Sequence, residues 1–257
     1  MDIGCITDKG NVRKENQDRF LALCRRESGN EVALCAVADG MGGTEKGSLA
    51  SDYVTERLYT WWQTELPCIL RQKEVFVSIS VSLENLLLSS NEQINTKARK
   101  EKVSTGTTLS LLCAYKGWIV VKHVGDSRIY MKRQGMWSQL TRDHTWDQCE
   151  LEQGRNPEAD HEYAGKRGKL INAMGVGSNC RIDTQMVQMT VGDRYLLCTD
   201  GIYRYVDPLY DMEGLEVCSD VPQALLDQLG ERIRRTAATD NFTAVLISAM
   251  ADSEGMD

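Results

Sequence analysis

The sequence has few of the features that mark zinc, membrane or nucleic-acid-binding proteins. It contains three histidines, none near cysteine at zinc-site spacing, and its nine cysteines include no C-x-x-C pair. No run of 18 apolar residues occurs, and no apolar leader precedes Asp2. Lys and Arg number 30 against 37 Asp and Glu, a net charge of −7. These absences argue against a zinc site, a membrane helix, and binding to nucleic acid or an anionic membrane.

Nucleotide-binding loops are missing too. Neither G-x-G-x-x-G nor G-x-x-x-x-G-K-[ST] occurs, which disfavours nucleotide binding. The cysteines show no nucleophile setting. Cys35, Cys113 and Cys198 lie in strand-like apolar runs, where cysteine behaves as a small hydrophobe. We therefore expect reduced core thiols and a cytoplasmic protein.

The apolar pattern alternates between sets of short strands and a few helices. Helices are predicted over about 46–63, 75–99 and 222–235, and strands over 3–7, 20–24, 32–38, 107–114, 118–123, 128–132, 137–140, 185–190, 195–198 and 242–248. Regular strand–helix alternation is absent, so the pattern predicts antiparallel sheets flanked by helices, an α+β fold. We expect one domain over 1–250, with a polar, irregular segment at 142–169 and a frayed acidic tail at 251–257.

Five aspartates stand where an apolar stretch meets a tight turn. They are Asp18, Asp39, Asp126, Asp200 and Asp240. A carboxylate at the end of a buried strand is costly unless something neutralises it. No run of Lys or Arg stands beside these positions, so the pattern points to bound cations. Oxygen ligands without a His/Cys cluster favour hard ions such as Mg²⁺ or Mn²⁺ over Zn²⁺.

The motifs around these aspartates recur in a specific order. They are Arg13-x-x-Asn16-Gln17-Asp18, Asp39-Gly40-Met41-Gly42-Gly43, Thr105-Gly106-Thr107-Thr108, Val124-Gly125-Asp126-Ser127-Arg128, Cys198-Thr199-Asp200-Gly201 and Thr239-Asp240-Asn241. Each motif alone is weak, but the ordered set resembles the metal-dependent serine/threonine protein phosphatases, the protein phosphatase 2C-like (PPM) family, in its compact bacterial form. The resemblance extends from about residue 3 to 248.

This resemblance implies an αββα sandwich with a metal cluster at one end of two packed sheets. It implies two core Mn²⁺ or Mg²⁺ ions and a third ion. Asp39 would bridge the two core ions, the Gly40 carbonyl would bind the second, and Asp200 and Asp240 would hold the first. Asp126 would hold the third ion together with Asp200.

Two further residues complete the implied site. Asp18 would orient metal-bound water from behind, and the planar fork of Arg13 would clamp the substrate phosphate. A hydroxide shared by the two core ions would attack phosphorus in line, with no phosphoenzyme. The expected partners are Ser/Thr-phosphorylated proteins, including a cognate kinase and its substrates, and the protein is expected to be a monomer.

The chain departs from the family pattern at three positions. Met41 replaces a histidine proposed elsewhere as the general acid, which leaves metal-bound water or His161 as the proton donor. Gln17 replaces a glutamate, and Asn172 replaces an arginine. The residues between 142 and 169 correspond to the flap beside the active site, or to a plain surface loop.

Two other functions compete with that of an active phosphoprotein phosphatase. One is a catalytically inactive scaffold or regulator that binds phosphoproteins. It is disfavoured because the four metal aspartates remain. The other is a phosphatase dedicated to one regulatory switch protein. It is disfavoured because the chain has no room for a sensory domain.

Overall fold

The computed structural model describes residues 1–42, 47–216 and 219–249. The strands are β1 (Asp2–Asp8), β2 (Asp18–Glu27), β3 (Asn30–Met41), β4 (Gly106–Thr107), β5 (Leu109–Tyr115), β6 (Trp118–Val124), β7 (Arg128–Arg133), β8 (Met136–Gln139), β9 (Asp183–Gln188), β10 (Arg194–Cys198) and β11 (Phe242–Ser248). The helices are α1 (Leu49–Thr64), α2 (Leu66–Ile69), α3 (Val75–Glu101), α4 (Trp146–Glu152), α5 (Tyr163–Lys166), α6 (Asp200–Tyr203), α7 (Pro208–Glu216) and α8 (Pro222–Arg234), with a 3₁₀ turn at Pro157–Ala159.

Two sheets form the centre of the molecule. One has the order β1-β11-β10-β7-β8, and the other has the order β2-β3-β5-β6-β9, with β4 added to β3. Every described pairing is antiparallel. Turns at Lys116-Gly117 and Gln134-Gly135 close the hairpins β5–β6 and β7–β8. All four turn residues have φ between 44° and 84°, the twist that tight hairpins require.

Three apolar clusters separate four layers. The first packs α1 and α3 on one sheet, through residues such as Leu58, Leu83 and Leu111. The second fills the space between the sheets. The third packs α8 and its neighbours on the other sheet, with Leu225 and Leu246 among its members. The predicted fold of two antiparallel sheets flanked by helices is therefore confirmed.

The differences from prediction lie in short or irregular elements. The helix expected from Lys46 is described only from Leu49, and Gly43, Lys46 and the tail 251–257 lie outside the described residues. Sequence periodicity missed α2, α5, α6 and α7, because four to nine residues are too few to show it. Asp193 lies where the chain crosses from one sheet to the other, since β9 pairs with β6 and β10 with β7 and β11.

No helix in the described ranges is both long enough and apolar enough to cross a membrane.

Candidate metal centre

The strand topology brings the five aspartates to one end of the sandwich. Asp18 at the start of β2 is paired with Asp39 near the end of β3. Asp126 follows β6, Asp200 follows β10, and Asp240 precedes β11. The beginning of one antiparallel strand meets the end of its neighbour, so residues before and after different strands share an edge.

Backbone and hydroxyl contacts hold the Asp39 segment in place. The Asp39 amide donates to Thr108 Oγ1 at 3.0 Å, and the Asp39 carbonyl accepts from the Thr108 amide at 2.9 Å. The Thr107 hydroxyl donates to the same carbonyl at 3.0 Å. At Gly40 a Cβ would lie 2.5 Å from the Gln17 carbonyl and 2.8 Å from Ser51 Oγ, so this position has no room for a side chain.

A cavity of about 270 Å³ opens at this end. Its described lining residues are Arg13, Gln17, Asp39, Gly40, Met41, Gly42, Asp126, Gly168, Leu170, Asp200, Arg204, Asp240 and Asn241. Six of the seven predicted site residues are in this set. The seventh, Asp18, is 3% exposed, and its Oδ2 accepts from the Thr199 hydroxyl at 2.8 Å.

A larger open groove of about 920 Å³ lies over α1–α3, but among its described lining residues the one carboxylate is Glu65. The small acidic cavity, which carries the convergent polar groups, is therefore the candidate site.

Burial raises the pKa of four of the site carboxylates, those of Asp18, Asp39, Asp126 and Asp200. Burial raises the pKa of Asp18 to about 7, and the neighbouring carboxylates of Asp200 and Asp240 act in the same direction. Burial, followed by Asp200, raises the pKa of Asp126 to about 7. Burial and the surrounding aspartates also raise the pKa of Asp39. Nearby positive charge is what would favour their charged forms.

Two arginines supply part of that charge. Arg13 holds Asp240 with Nε 2.9 Å from Oδ1 and Nη2 2.9 Å from Oδ2. Arg204 Nη2 lies 2.5 Å from Asp200 Oδ2, and its Nη1 lies 3.5 Å from Asp240 Oδ2. No run of Lys or Arg stands beside the aspartates in the sequence, but the fold brings single arginines to Asp200 and Asp240. The signal for Arg204 was its i,i+4 spacing from Asp200.

The donor set fits a hard divalent cation. In the described part of the chain, no three His, Cys, Asp or Glu side chains are positioned to hold one ion together as they stand, and two of the carboxylates are paired with guanidinium groups. Yet Asp200 Oδ1 is buried without a described hydrogen-bond partner, and the four lining aspartates outnumber the two lining arginines. Oxygen donors in excess of local positive charge are what Mg²⁺ or Mn²⁺ requires.

Sequence reasoning missed the support behind Asp126. The Tyr203 hydroxyl donates to the Asp126 carbonyl at 3.0 Å. The Arg128 guanidinium lies 3.7 Å from the centroid of the Tyr203 ring and is held by Asp143 through both of its oxygens. Tyr203 belongs to the short helix that periodicity did not reveal.

Asn172 and His144 join the flap to the same end of the sandwich. His144 Nδ1 accepts a hydrogen bond from the Gly125 amide at 3.1 Å, and Asn172 Nδ2 lies 2.7 Å from the same nitrogen. Asn172 also donates to the Arg181 carbonyl at 2.8 Å. These contacts hold the start of the polar segment against the turn at Gly125. They give Asn172 a structural role at the base of the flap.

The two residues that bear on the identity of the proton donor lie in different surroundings. Met41 lines the cavity, as its motif position predicts. His161 has a side chain that is 92% exposed, lies 3.8 Å from Asp160, and is not among the described lining residues. The geometry gives His161 no contact with the site.

Comparisons with known proteins agree with this picture. The family model "Protein phosphatase 2C" matches residues 11–247. The serine/threonine phosphatase stp of Listeria innocua is 28% identical over 253 residues, covering 98% of this chain and 97% of the relative. PstP of Mycobacterium tuberculosis is 30% identical over 246 residues, which are 93% of this chain and 43% of that protein.

A solved structure of the catalytic domain of the serine/threonine phosphatase PstP, in complex with two manganese ions, matches with a TM-score of 0.77 at 26% identity. The match covers 97% of this chain and 98% of that one. With the family model spanning most of the sequence and the fold shared along almost all of it, this chain belongs to the protein phosphatase 2C family of serine/threonine phosphatases.

Proposed function

We propose that the acidic cavity is the catalytic centre, and that it binds two core Mn²⁺ or Mg²⁺ ions and a third at its Asp126 side. Asp39 would bridge the core ions, the Gly40 carbonyl would bind the second, and Asp200 and Asp240 would bind the first. Asp126 would hold the third ion with Asp200. One observation supports this assignment. These residues line a single cavity that holds more buried carboxylates than its neighbouring arginines can neutralise.

When bound, the ions would lower the pKa of a shared water toward neutrality and so supply the nucleophile. The chain's own residues position the other reactants. Asp18, held by Thr199 behind the cavity, orients water toward the centre. Arg13 is 55% exposed in its side chain, so its fork can leave Asp240 and take two oxygens of a phosphoryl group. Charge on those oxygens grows during in-line transfer, and a fixed guanidinium stabilises it.

The leaving group is a serine or threonine alkoxide, which must be protonated. Because His161 makes no contact with the cavity, we propose water at the metal centre as the donor.

The substrates we propose are Ser/Thr-phosphorylated proteins, including a cognate kinase and its targets. The cavity opens beside the flap, where Gly168 of the flap and the adjacent Leu170 form part of the wall, so an extended protein segment can reach it. The eight cysteines in the described ranges are free thiols, which suits the cytoplasm, where we place the enzyme as a monomer. An inactive scaffold is the weaker alternative, because all four metal aspartates are kept and share one cavity.

Metal removal tests the proposal. Activity on a phosphothreonine peptide should vanish in EDTA and return with Mn²⁺ or Mg²⁺ but poorly with Zn²⁺, because the ligands are hard oxygens. The matched control is Asp2→Asn, which removes an exposed carboxylate at the end of β1 that lies away from the cavity. Its response to EDTA and to added metal should be that of the wild type. Full activity in chelator would refute the metal-dependent centre.

A further inference from the structure

Arg204 occupies a distinctive place in the cavity. It stands at the end of α6, one helical turn after Asp200, and its side chain is 52% exposed. Its guanidinium reaches Asp200 at 2.5 Å and Asp240 at 3.5 Å. Of these two aspartates, Arg13, the other lining arginine, contacts Asp240. The charge of Arg204 therefore lies nearest to Asp200, which lines the same cavity as Asp126.

We propose that Arg204 is a built-in cation that competes with a divalent metal ion for the Asp126–Asp200 side of the cavity. The inference rests on the proposed function, since it concerns the same metal centre. It goes further because it names the residue that sets how tightly the third ion binds to Asp126 and Asp200.

The two oxygens of Asp200 support competition. Oδ2 is engaged by Arg204, whereas Oδ1 is buried and has no hydrogen-bond partner in the described part of the chain. Asp126 lines the same cavity and is 6% exposed, as is Asp200. A cation between these two carboxylates would satisfy the unpartnered oxygen, but it would stand next to the guanidinium. Two cations that close repel each other, so one must weaken the other.

The exposure of Arg204 makes the competition reversible. A half-exposed arginine on the rim can swing into solvent and leave Asp200 to the metal, at the cost of one partly solvated ion pair. The third ion would then bind only at free metal concentrations high enough to displace the guanidinium.

Calorimetric Mn²⁺ titration, with free Mn²⁺ counted by electron paramagnetic resonance, tests this without relying on turnover. The variant Arg204→Ala should lower the dissociation constant of the third, most weakly bound Mn²⁺ by about tenfold or more, since a nearby positive charge is removed. Arg204→Gln, which keeps much of the side chain, should do the same and covers the case in which the alanine variant folds poorly. Arg13→Ala is the matched control and should change the dissociation constant of this third ion by less than about threefold.

A second substitution locates the effect. In Arg204→Ala/Asp126→Asn the gain should disappear, because the ion loses its other carboxylate. If wild type binds Mn²⁺ and hydrolyses phosphopeptide but Arg204→Ala and Arg204→Gln leave every Mn²⁺ affinity unchanged, the competition is refuted and the proposed function stands. A gain that survives Asp126→Asn also refutes it. A wild type that binds no Mn²⁺ overturns both.

Discussion

Strand β10 has a buried aspartate at each end, and the two differ in every contact. Asp193, just before the strand, is 2% exposed and accepts hydrogen bonds from Arg133, from the amide and hydroxyl of Thr190, and from the Tyr195 hydroxyl. Although burial opposes it, these donors lower the pKa of Asp193 to about 2. Asp200, just after the strand, keeps one buried oxygen without a described partner, and burial raises its pKa.

The comparison separates structure from function. At the Asp193 end the protein supplies all the donors, so the carboxylate stabilises the crossing between the sheets. At the Asp200 end it gathers carboxylates that repel one another and supplies two arginines on the rim. Such an arrangement costs stability unless something else brings charge. Conservative Asp→Asn changes at the two ends should therefore have opposite consequences.

The largest expected effect is on catalysis by Asp200→Asn. Loss of a metal ligand should reduce turnover of phosphopeptide and p-nitrophenyl phosphate by more than about 100-fold, exceeding the loss typical of outer-shell partners. In EDTA the variant should unfold at or above the wild-type temperature, because one of several repelling carboxylates is removed. Steady-state kinetics and thermal melts measure both. A variant that loses stability in EDTA as Asp193→Asn does would erase the contrast.

Asp193→Asn should do the reverse. Breaking a buried, multiply bonded ion pair should cost about 3 kcal/mol in the free energy of unfolding. Turnover at saturating Mn²⁺ should stay within about twofold, since this residue lies at the far end of the strand from the cavity. Denaturant unfolding and kinetics provide the measurements.

The pH dependence of the same variant sharpens the test. The folded pKa of Asp193 is below its unfolded value, so its contribution to stability is present above about pH 4 and is lost as pH falls toward 2. Wild type and Asp193→Asn should therefore converge in stability over that range. Equal pH profiles with a constant gap would show that the charge of Asp193 is not what stabilises the crossing.

Arg13→Ala should have a smaller effect, on substrate binding. The side chain is half-exposed and bonded to Asp240, so its loss should leave Mn²⁺ affinity largely intact and weaken phosphate recognition. The expected cost is about 1.5–3 kcal/mol, mainly through KM. Calorimetry that found Mn²⁺ lost as severely as in Asp200→Asn would contradict the division between metal ligands and phosphate clamp.

The smallest effect is expected for His161→Ala. A histidine that is 92% exposed and away from the cavity should change phosphopeptide and p-nitrophenyl phosphate turnover little and equally. A general acid would instead lose roughly 10²–10⁴-fold on the phosphopeptide and little on the aryl ester, whose leaving group needs no proton. A selective loss of that size would identify His161 as the donor.

Local sequence patterns determined much of this protein. Alternating apolar residues and glycine-marked turns predicted every strand from β1 to β11 apart from the two-residue β4, which was merged with β5. Helical spacing predicted α1, α3 and α8. The ordered aspartate motifs predicted which side chains share the candidate site. Such features depend on backbone preferences and burial along a few neighbouring residues, so the linear chain carries them.

Only the tertiary structure decided how charge is balanced. Arg13 meets Asp240 from 227 positions away, and Tyr203 reaches the Asp126 carbonyl from 77 away. Asp193 and Asp200 have similar local surroundings in the sequence, each in or beside a turn next to an apolar strand. They differ because the opposite ends of β10 meet different partners. Sequence spacing predicts where a carboxylate will be buried, whereas packing between distant segments determines whether the protein or a bound cation neutralises it.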